Sequence, residues 1–265
     1  MGQFLGEKIV FNGIDSEQFG LYLCNIDTDN TRNFGLEKSI TDTVDSWGNS
    51  TINSISYKSN TYSIQLVKVN KRTNNLLPIT DFELGAIKRW LFSSDEYGQL
   101  IIKNSKKNEH TEYYGMFVKG SICQNSVNHG YITVDFKMAM PYGYLMYQDY
   151  ECEVVDKRVI LLESMHEFKA TNPVDIELNV FGTDVTVINN TNGQRVELRG
   201  IDDTCRKIRI YNDRVRHIVN LDNPKMNMRD KFNKVYLELE FGDNEIEIIG
   251  NCYIKFYNRP KVMIR

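Results

Sequence analysis

Apolar and polar residues alternate with a period of two along much of this chain, and this alternation constrains its fold more than any other feature. The apolar members of four such runs are Ile132, Val134, Phe136, Met138 and Met140; Val235, Leu237, Leu239 and Phe241; Ile246 and Ile248; and Ile176, Leu178 and Val180. Successive side chains of a strand point to opposite faces, so the pattern predicts strands with one buried and one solvated face. The chain is therefore expected to be mainly β and built from antiparallel sheets.

Turn residues separate several of these runs. Asn192-Gly193 lies between the apolar segments 185–188 and 196–198, which predicts a β-hairpin. The run Gly242-Asp243-Asn244 is expected to separate two further strands in the same way.

One segment shows helical spacing instead. Thr80 or Asp81 can serve as the N-cap, and Glu83 follows in the first turn, where the helix dipole favours an acidic residue. The apolar stripe consists of Leu84, Ile87, Trp90 and Leu91. The sequence therefore predicts one amphipathic helix over residues 81–92, packed by this stripe onto a sheet.

The 265 residues are enough for one large all-β domain or two ordinary domains. A turn-rich aromatic run between Pro141 and Tyr150 interrupts the strand pattern, which restarts after Cys152. We therefore predict a first β-sandwich with the helix over residues 1–145 and a second β-sandwich over residues 151–265. The last residues, beyond Tyr257, could pair with either domain, including the first.

The stretch from Asp27 to Asn60 is rich in Asp, Asn, Ser and Thr, and its apolar residues are widely spaced. It can be read as a long mobile loop or as a protruding hairpin arm whose apolar residues are buried only against a neighbouring subunit. Long structureless loops are uncommon inside compact domains, which favours the arm. The candidate interface residues are Phe34, Leu36, Ile40, Trp47 and Ile52.

No motif for catalysis, cofactor binding or metal binding occurs in the chain. The four histidines show neither HxxxH nor HxH spacing, the five cysteines form no CxxC pair, and GxSxG, P-loop and GxGxxG motifs are absent. The adjacent carboxylates Asp202 and Asp203 are expected to cap a turn rather than to converge across a cleft. We therefore expect no enzyme activity, no cofactor and no metal.

The formal net charge of −3 comes from interspersed acidic and basic residues, so no electrostatic footprint for nucleic acid is expected. The N-terminal segment does not have the pattern of a signal peptide. No apolar stretch approaches the roughly 18 residues that a membrane-spanning helix requires, so membrane insertion is not expected.

Three phrases occur in order along the first half of the chain: FNGIDSEQFGLYL at residues 11–23, PITDFELGAIKRWLF at 78–92, and YYGMFVKG followed by GYITVDFKMAMPYGY between 113 and 144. Together they resemble the distal tail proteins of long-tailed bacteriophages, the Dit or siphophage tail component family. The later phrases IRIYNDRVRHIVNL and NEIEIIGNCYIKFYNRP are similar to the C-terminal part of that family.

The resemblance implies a β-sandwich with one helix and an extended hairpin, followed by a smaller galectin-like β-sandwich. It also implies a non-enzymatic hub that forms a hexameric ring at the virion tail tip, assembled in the bacterial host cytoplasm. Such a ring joins the tail tube protein to a tail-tip hub or tail-associated protein and to receptor-binding proteins. By this analogy residues 27–60 reach a neighbouring subunit, and residues 151–265 form the outer domain.

Two other functions remain open. Residues 151–265 could be a carbohydrate-binding module that attaches the virion to host cell-wall glycans. Galectin sugar sites use a tryptophan, however, and both tryptophans, Trp47 and Trp90, lie in the first half. The third alternative, a tail-associated hydrolase, is disfavoured because no acid/base or nucleophile motif is present.

Overall fold

The computed structural model describes residues 8–24, 38–57, 61–70, 72–73, 75–104, 109–125, 129–168, 171–212 and 215–263. These residues divide into two compact units, with the boundary between Leu145 and Met146 and with Met263 assigned to the first unit. The high strand content, the single α-helix of the described residues and the several sheets confirm the mainly β fold class.

The first unit contains eleven strands among its described residues. They are β1 (Lys8–Phe11), β2 (Ile14–Asp15), β3 (Leu21–Leu23), β4 (Lys38–Val44), β5 (Ser50–Tyr57), β6 (Thr61–Asn70), β7 (Asn75–Leu76), β8 (Gly98–Asn104), β9 (Glu109–Asn125), β10 (His129–Met138) and β11 (Gly143–Leu145). A short 3-10 helix covers Ser16–Phe19, and the α-helix α1 covers Asp81–Phe92.

Seven of these strands form an antiparallel sheet in the order β2–β1–β8–β9–β10–β6–β3, with β7 beside β6 and β11 beside β9. Buried side chains of this sheet share one hydrophobic core with the apolar stripe of α1. The core includes Ile9, Phe11, Leu66, Leu100, Phe117 and Phe136 from the sheet and Ile87, Trp90 and Leu91 from the helix. Strands β4 and β5 stand apart as a two-stranded sheet of their own.

Helix α1 begins and ends where the sequence predicts. Thr80 is the N-cap: the backbone N–H of Glu83 donates to Thr80 Oγ1 at 3.3 Å, and the Thr80 N–H donates to Glu83 Oε2 at 2.9 Å. This reciprocal pair is a capping box, which satisfies two N–H groups that the first turn would leave free. Trp90 Nε1 donates to the carbonyl of Phe11 at 3.1 Å, which ties the helix to β1.

The second unit is a two-sheet β-sandwich. Its two sheets are formed by β12 (Gln148–Val154), β13 (Lys157–Ser164), β14 (Asn172–Val180), β15 (Val185–Asn189), β16 (Gln194–Leu198), β17 (Lys207–Tyr211), β18 (His217–Asn220), β19 (Glu238–Leu239), β20 (Gly242–Ile249) and β21 (Cys252–Asn258), with a 3-10 turn at Arg229–Lys231. The short strand β22 (Lys261–Val262) belongs to neither of these sheets. One sheet has the order β12–β21–β14–β17–β18, with β19 beside β14, and the other has the order β13–β20–β15–β16. Both sheets contribute to one core, which includes Ile176, Val187, Ile246 and Ile254.

The predicted hairpin at Asn192-Gly193 is confirmed, since β15 pairs with β16 and Gly193 has a positive φ of 76°. The strand expected over residues 235–241 is wrong in extent, because only Glu238–Leu239 pairs and Phe241 is 72% exposed. The turn expected at residues 242–244 is also wrong, since these residues begin β20. Asn244 explains the difference: its side chain bonds both the N–H and the carbonyl of Glu240, which closes the chain just before the strand.

Candidate self-association interface

The described part of the predicted arm is a β-hairpin, residues 38–57, here called the hairpin arm. Strands β4 and β5 pair antiparallel from Lys38 opposite Tyr57 to Val44 opposite Ser50. Asp45 closes the turn: its Oδ1 accepts from the N–H groups of Trp47 at 2.9 Å and Asn49 at 2.8 Å. The hydrogen bonds from Asn49 are the main reason that the pKa of Asp45 lies below its ordinary value.

A β-bulge sorts the side chains of the hairpin arm onto two chemically different faces. The cross-strand pairs are Ile40–Ile55, Asp42–Ile52 and Val44–Ser50 on one face, and Ser39–Ser56, Thr41–Ser54 and Thr43–Thr51 on the other. The register shifts between Thr41 and Asp42, which leaves Asn53 without an opposed residue. Without this bulge Ile52 and Ile55, three positions apart, would lie on opposite faces.

The first of these faces, here called the apolar face, carries Ile40, Val44, Ile52 and Ile55 around the carboxylate of Asp42, with Ser50 opposite Val44 and the exposed Lys38 at the end of the ribbon. Its aliphatic side chains are 48–61% exposed, and every other described side chain of the arm except the half-buried Ser39 is exposed as well. The opposite face carries hydroxyl side chains and the amide of Asn53, which donates to Thr43 Oγ1. The arm is therefore amphipathic, and within the described residues nothing covers its apolar face.

The predicted interface residues have different outcomes. Ile40 and Ile52 lie on the apolar face, and Trp47 lies in the turn with 88% of its surface exposed. Phe34 and Leu36 lie outside the described residues. Val44 and Ile55, two further apolar residues of the predicted arm, lie on the same face as Ile40 and Ile52.

A second exposed apolar surface lies between α1 and strands β9 and β10; it is here called the α1 groove. Its volume is about 490 Å³, and its walls include Leu84, Ile87 and Phe92 of the helix and Val118 and Ile122 of β9. Two cationic side chains, Lys88 and Lys119, also line it. The combination of apolar walls with positive charge suits an apolar segment that carries a carboxylate.

Local irregularities of β9 shape this groove. Val118 is the extra residue of a bulge, since Phe117 pairs with Phe136 and Lys119 pairs with Asp135, and its side chain is 48% exposed. A Cβ at Gly120 would lie 2.9 Å from Cζ of Phe92, so only glycine lets the Phe92 ring approach the strand this closely. A glycine inside a strand pattern is the sequence signal that could have indicated this close approach.

The adjacent carboxylates Asp202 and Asp203 serve local turns. Asp202 accepts hydrogen bonds from Thr204 and from Lys231 Nζ, and these bonds lower its pKa. Asp203 pairs with Arg206 instead. Within the described residues, no group of three or more His, Cys, Asp or Glu side chains is placed to hold a metal ion.

Aromatic side chains on the second unit are engaged with neighbouring polar groups. The Arg209 guanidinium lies 4.9 Å from the ring centroid of Tyr211 and 4.8 Å from that of Tyr257. His217 stacks on Tyr211 at 4.5 Å, and Lys255 lies 5.2 Å from the Tyr257 ring. These contacts compete with any ligand that would stack on the two rings.

Comparison with known proteins identifies the family. Residues 5–138, half of the chain, match the family model described as the phage tail protein N-terminal domain. The chain belongs to this family. No curated protein matches this tail protein in sequence. None of the described helices has the length and apolar character needed to cross a membrane.

The fold of the tail protein is similar to that of solved phage proteins. The Dit protein (gp 19.1) of phage SPP1, described as a paradigm of the hub adsorption apparatus in phages that infect Gram-positive bacteria, aligns with a TM-score of 0.59 and 11% identity over 95% of this chain and 98% of its own. A chain of the phage P2 baseplate in its activated conformation with calcium aligns with a TM-score of 0.44 and 10% identity, covering 97% and 98%. The family model and the fold likeness to the SPP1 Dit protein confirm the resemblance to distal tail proteins.

Proposed function

We propose that this tail protein is a non-enzymatic structural hub of the phage tail tip, and that it assembles into a ring through its hairpin arm. The observation that carries the proposal is the exposed apolar face of the arm in a member of a phage tail protein family. Monomeric proteins rarely leave such a continuous aliphatic surface uncovered, so a protein partner is its natural use.

Burial of the apolar face can supply part of the free energy that holds two subunits together. Full burial of an aliphatic side chain contributes about 1.5–3 kcal/mol relative to exposure. Ile40, Val44, Ile52 and Ile55 are each about half exposed, so covering all four would contribute about 4 kcal/mol before the cost of association. A ring repeats this modest contact at every subunit boundary, because each copy offers one arm and receives one.

The number of copies and the partners are proposed from the family and from the fold likeness. We propose six copies per ring, the tail tube protein on one side, and a tail-tip hub or tail-associated protein with receptor-binding proteins on the other. Assembly takes place in the bacterial host cytoplasm, and the finished protein resides in the virion tail tip. In this role the protein binds other proteins and needs neither substrate nor cofactor.

The test is the mass and shape of the purified full chain, by light scattering and negative-stain images. Wild type is expected to form rings with a central hole, and the double variant Ile40→Ser/Ile55→Ser is expected to stay monomeric. The matched control, Ser39→Thr/Ser56→Thr, alters the adjacent pair on the hydroxyl face and should still form rings. Rings of unchanged size from the Ile40→Ser/Ile55→Ser variant would contradict the role of the arm.

The carbohydrate-binding alternative has its own measurement. A glycan array probed with the full chain should show no saturable binding if the second unit is an attachment platform for proteins. Saturable binding that is lost on substitution of Tyr211 or Tyr257 would instead indicate that the second unit recognises glycans.

A further inference from the structure

We infer that the apolar face of the hairpin arm docks into the α1 groove of a second copy of this chain. The inference rests on the proposed function and specifies the surface that receives the arm. It joins two exposed features of the same unit, neither of which is covered within the described residues.

The two surfaces match in chemical character. The groove presents Leu84, Phe92 and Val118 to solvent beside the buried Ile87, and its volume of about 490 Å³ can take several aliphatic side chains. The arm offers four such side chains on one face of a two-stranded ribbon. A β-bulge shapes each surface, at Asn53 in the arm and at Val118 in the groove.

Charge complementarity selects the arm as the occupant. Asp42 lies among the aliphatic residues of the apolar face, where its Oδ2 accepts a hydrogen bond from Ser50. Lys88 and Lys119 line the groove, are exposed, and form no ion pair with any described residue. Lys38 lies at the end of the same face, whereas Asp42 lies among the aliphatic side chains. A carboxylate in that position is the group that two lysines on an apolar groove would favour.

The occupant comes from another copy because the arm does not lie on its own groove. Strands β4 and β5 form a separate sheet, and the side chains of the apolar face are exposed in the single chain. An arm seated in its own groove would bury Ile40 and Ile52 against α1. When each copy places its arm in the groove of the next copy, both surfaces are buried. The contact is then heterologous, which is the kind that closes into rings.

Charge reversal tests the contact. Asp42→Lys alone and Lys88→Glu/Lys119→Glu alone should each weaken self-association on the order of tenfold or more, because each places like charges together. Combining the three substitutions should restore association towards the wild-type value. Lys225→Glu, at an exposed position of the second unit, is the matched control and should have no effect. Trp90 fluorescence and circular dichroism verify that each variant is folded.

Disulfide trapping gives an independent readout. A variant carrying both Ile52→Cys and Val118→Cys should form a ladder of covalent multimers under oxidising conditions, whereas each single variant should not. The single variants also control for Cys123, which is exposed on β9. A disulfide that forms only within one chain would overturn the inference.

The outcomes separate this inference from the proposed function. If the charge-reversal variants form rings as wild type does, or if the triple variant does not regain self-association, the docking inference is overturned. The proposed ring is not affected by either result. If the full chain does not self-associate, alone or with tail tube protein added, both are overturned. Loss on reversal with recovery on combination supports both.

Discussion

Replacing Gly115 with alanine is expected to destabilise the first unit by about 1–3 kcal/mol, the usual range for overpacking a core. Gly115 lies in β9 opposite Met138 of β10. A Cβ at this position would lie 2.3 Å from the carbonyl oxygen of Lys137 and 2.7 Å from Cζ of Phe136. Because β10 is paired on both sides, by β9 and β6, the carbonyl cannot move without disturbing two ladders of hydrogen bonds. The cost should therefore lie in the upper part of the range.

Tryptophan fluorescence measures this loss selectively, because both tryptophans lie in the first unit. Trp47 is 88% exposed and Trp90 is 7% exposed, so a Trp47→Phe background leaves one buried reporter. With a urea m-value of about 2 kcal/mol/M, a loss of about 2–3 kcal/mol lowers the unfolding midpoint by about 1–1.5 M.

Gly85→Ala is the matched control. Gly85 lies inside α1, and no atom other than those of its chain neighbours and of the helix's own backbone lies within 4 Å of a Cβ placed there. Alanine should stabilise the helix by about 0.5–1 kcal/mol, since it restricts the unfolded chain and fits the helical backbone. The two glycine substitutions should therefore shift the midpoint in opposite directions. An unchanged midpoint for Gly115→Ala would refute the argument that the close approach to Lys137 requires glycine.

Three further measurements follow from the structure. Thr80→Ala removes the capping box and should cost about 1 kcal/mol, measured as a lower Trp90 midpoint; no shift would mean that the cap is not stabilising. Burial, aided by Lys261, lowers the pKa of His166 below its ordinary 6.5. The unfolded chain therefore binds the proton more readily, so the second unit should be fully stabilised above pH 6.5 and lose stability as the pH falls towards the lowered pKa. Urea titrations followed by circular dichroism measure this slope, which His166→Asn should reduce. Burial raises the pKa of Cys252 to about 12, so maleimide should label this thiol only after unfolding, whereas exposed Cys123 should react in the native protein.

Helix α1 was predictable because its signals are local. The N-cap, the acidic first turn and the apolar stripe all lie within twelve or so residues, and α1 covers Asp81–Phe92 as predicted. The strands around Ile176 and Ile246 were predictable for a similar reason, since a period of two reports the buried face directly. The residues before Phe241 imitate this pattern, but the bonds of the buried Asn244 side chain set the local backbone instead.

The interface surfaces were less predictable, because they depend on register and on contacts between distant residues. Composition left the arm open as a loop or a hairpin, and only the pairing of β4 with β5 brings Val44 and Ile55 to the same face. The α1 groove requires Phe92 and Gly120 to meet, and neither residue alone indicates the other. Tertiary contacts of this kind are absent from any local pattern in the sequence.

The bulge at Asn53 also bears on unwanted aggregation. A two-stranded ribbon has two free edges, and flat free edges are templates for fibres that add one strand after another. A bulge increases the local twist and interrupts the regular row of N–H and carbonyl groups along its strand. The hairpin arm can thus be adhesive through its side chains while its backbone remains a poor template. Such an arm favours closed assemblies of limited size over open-ended fibres.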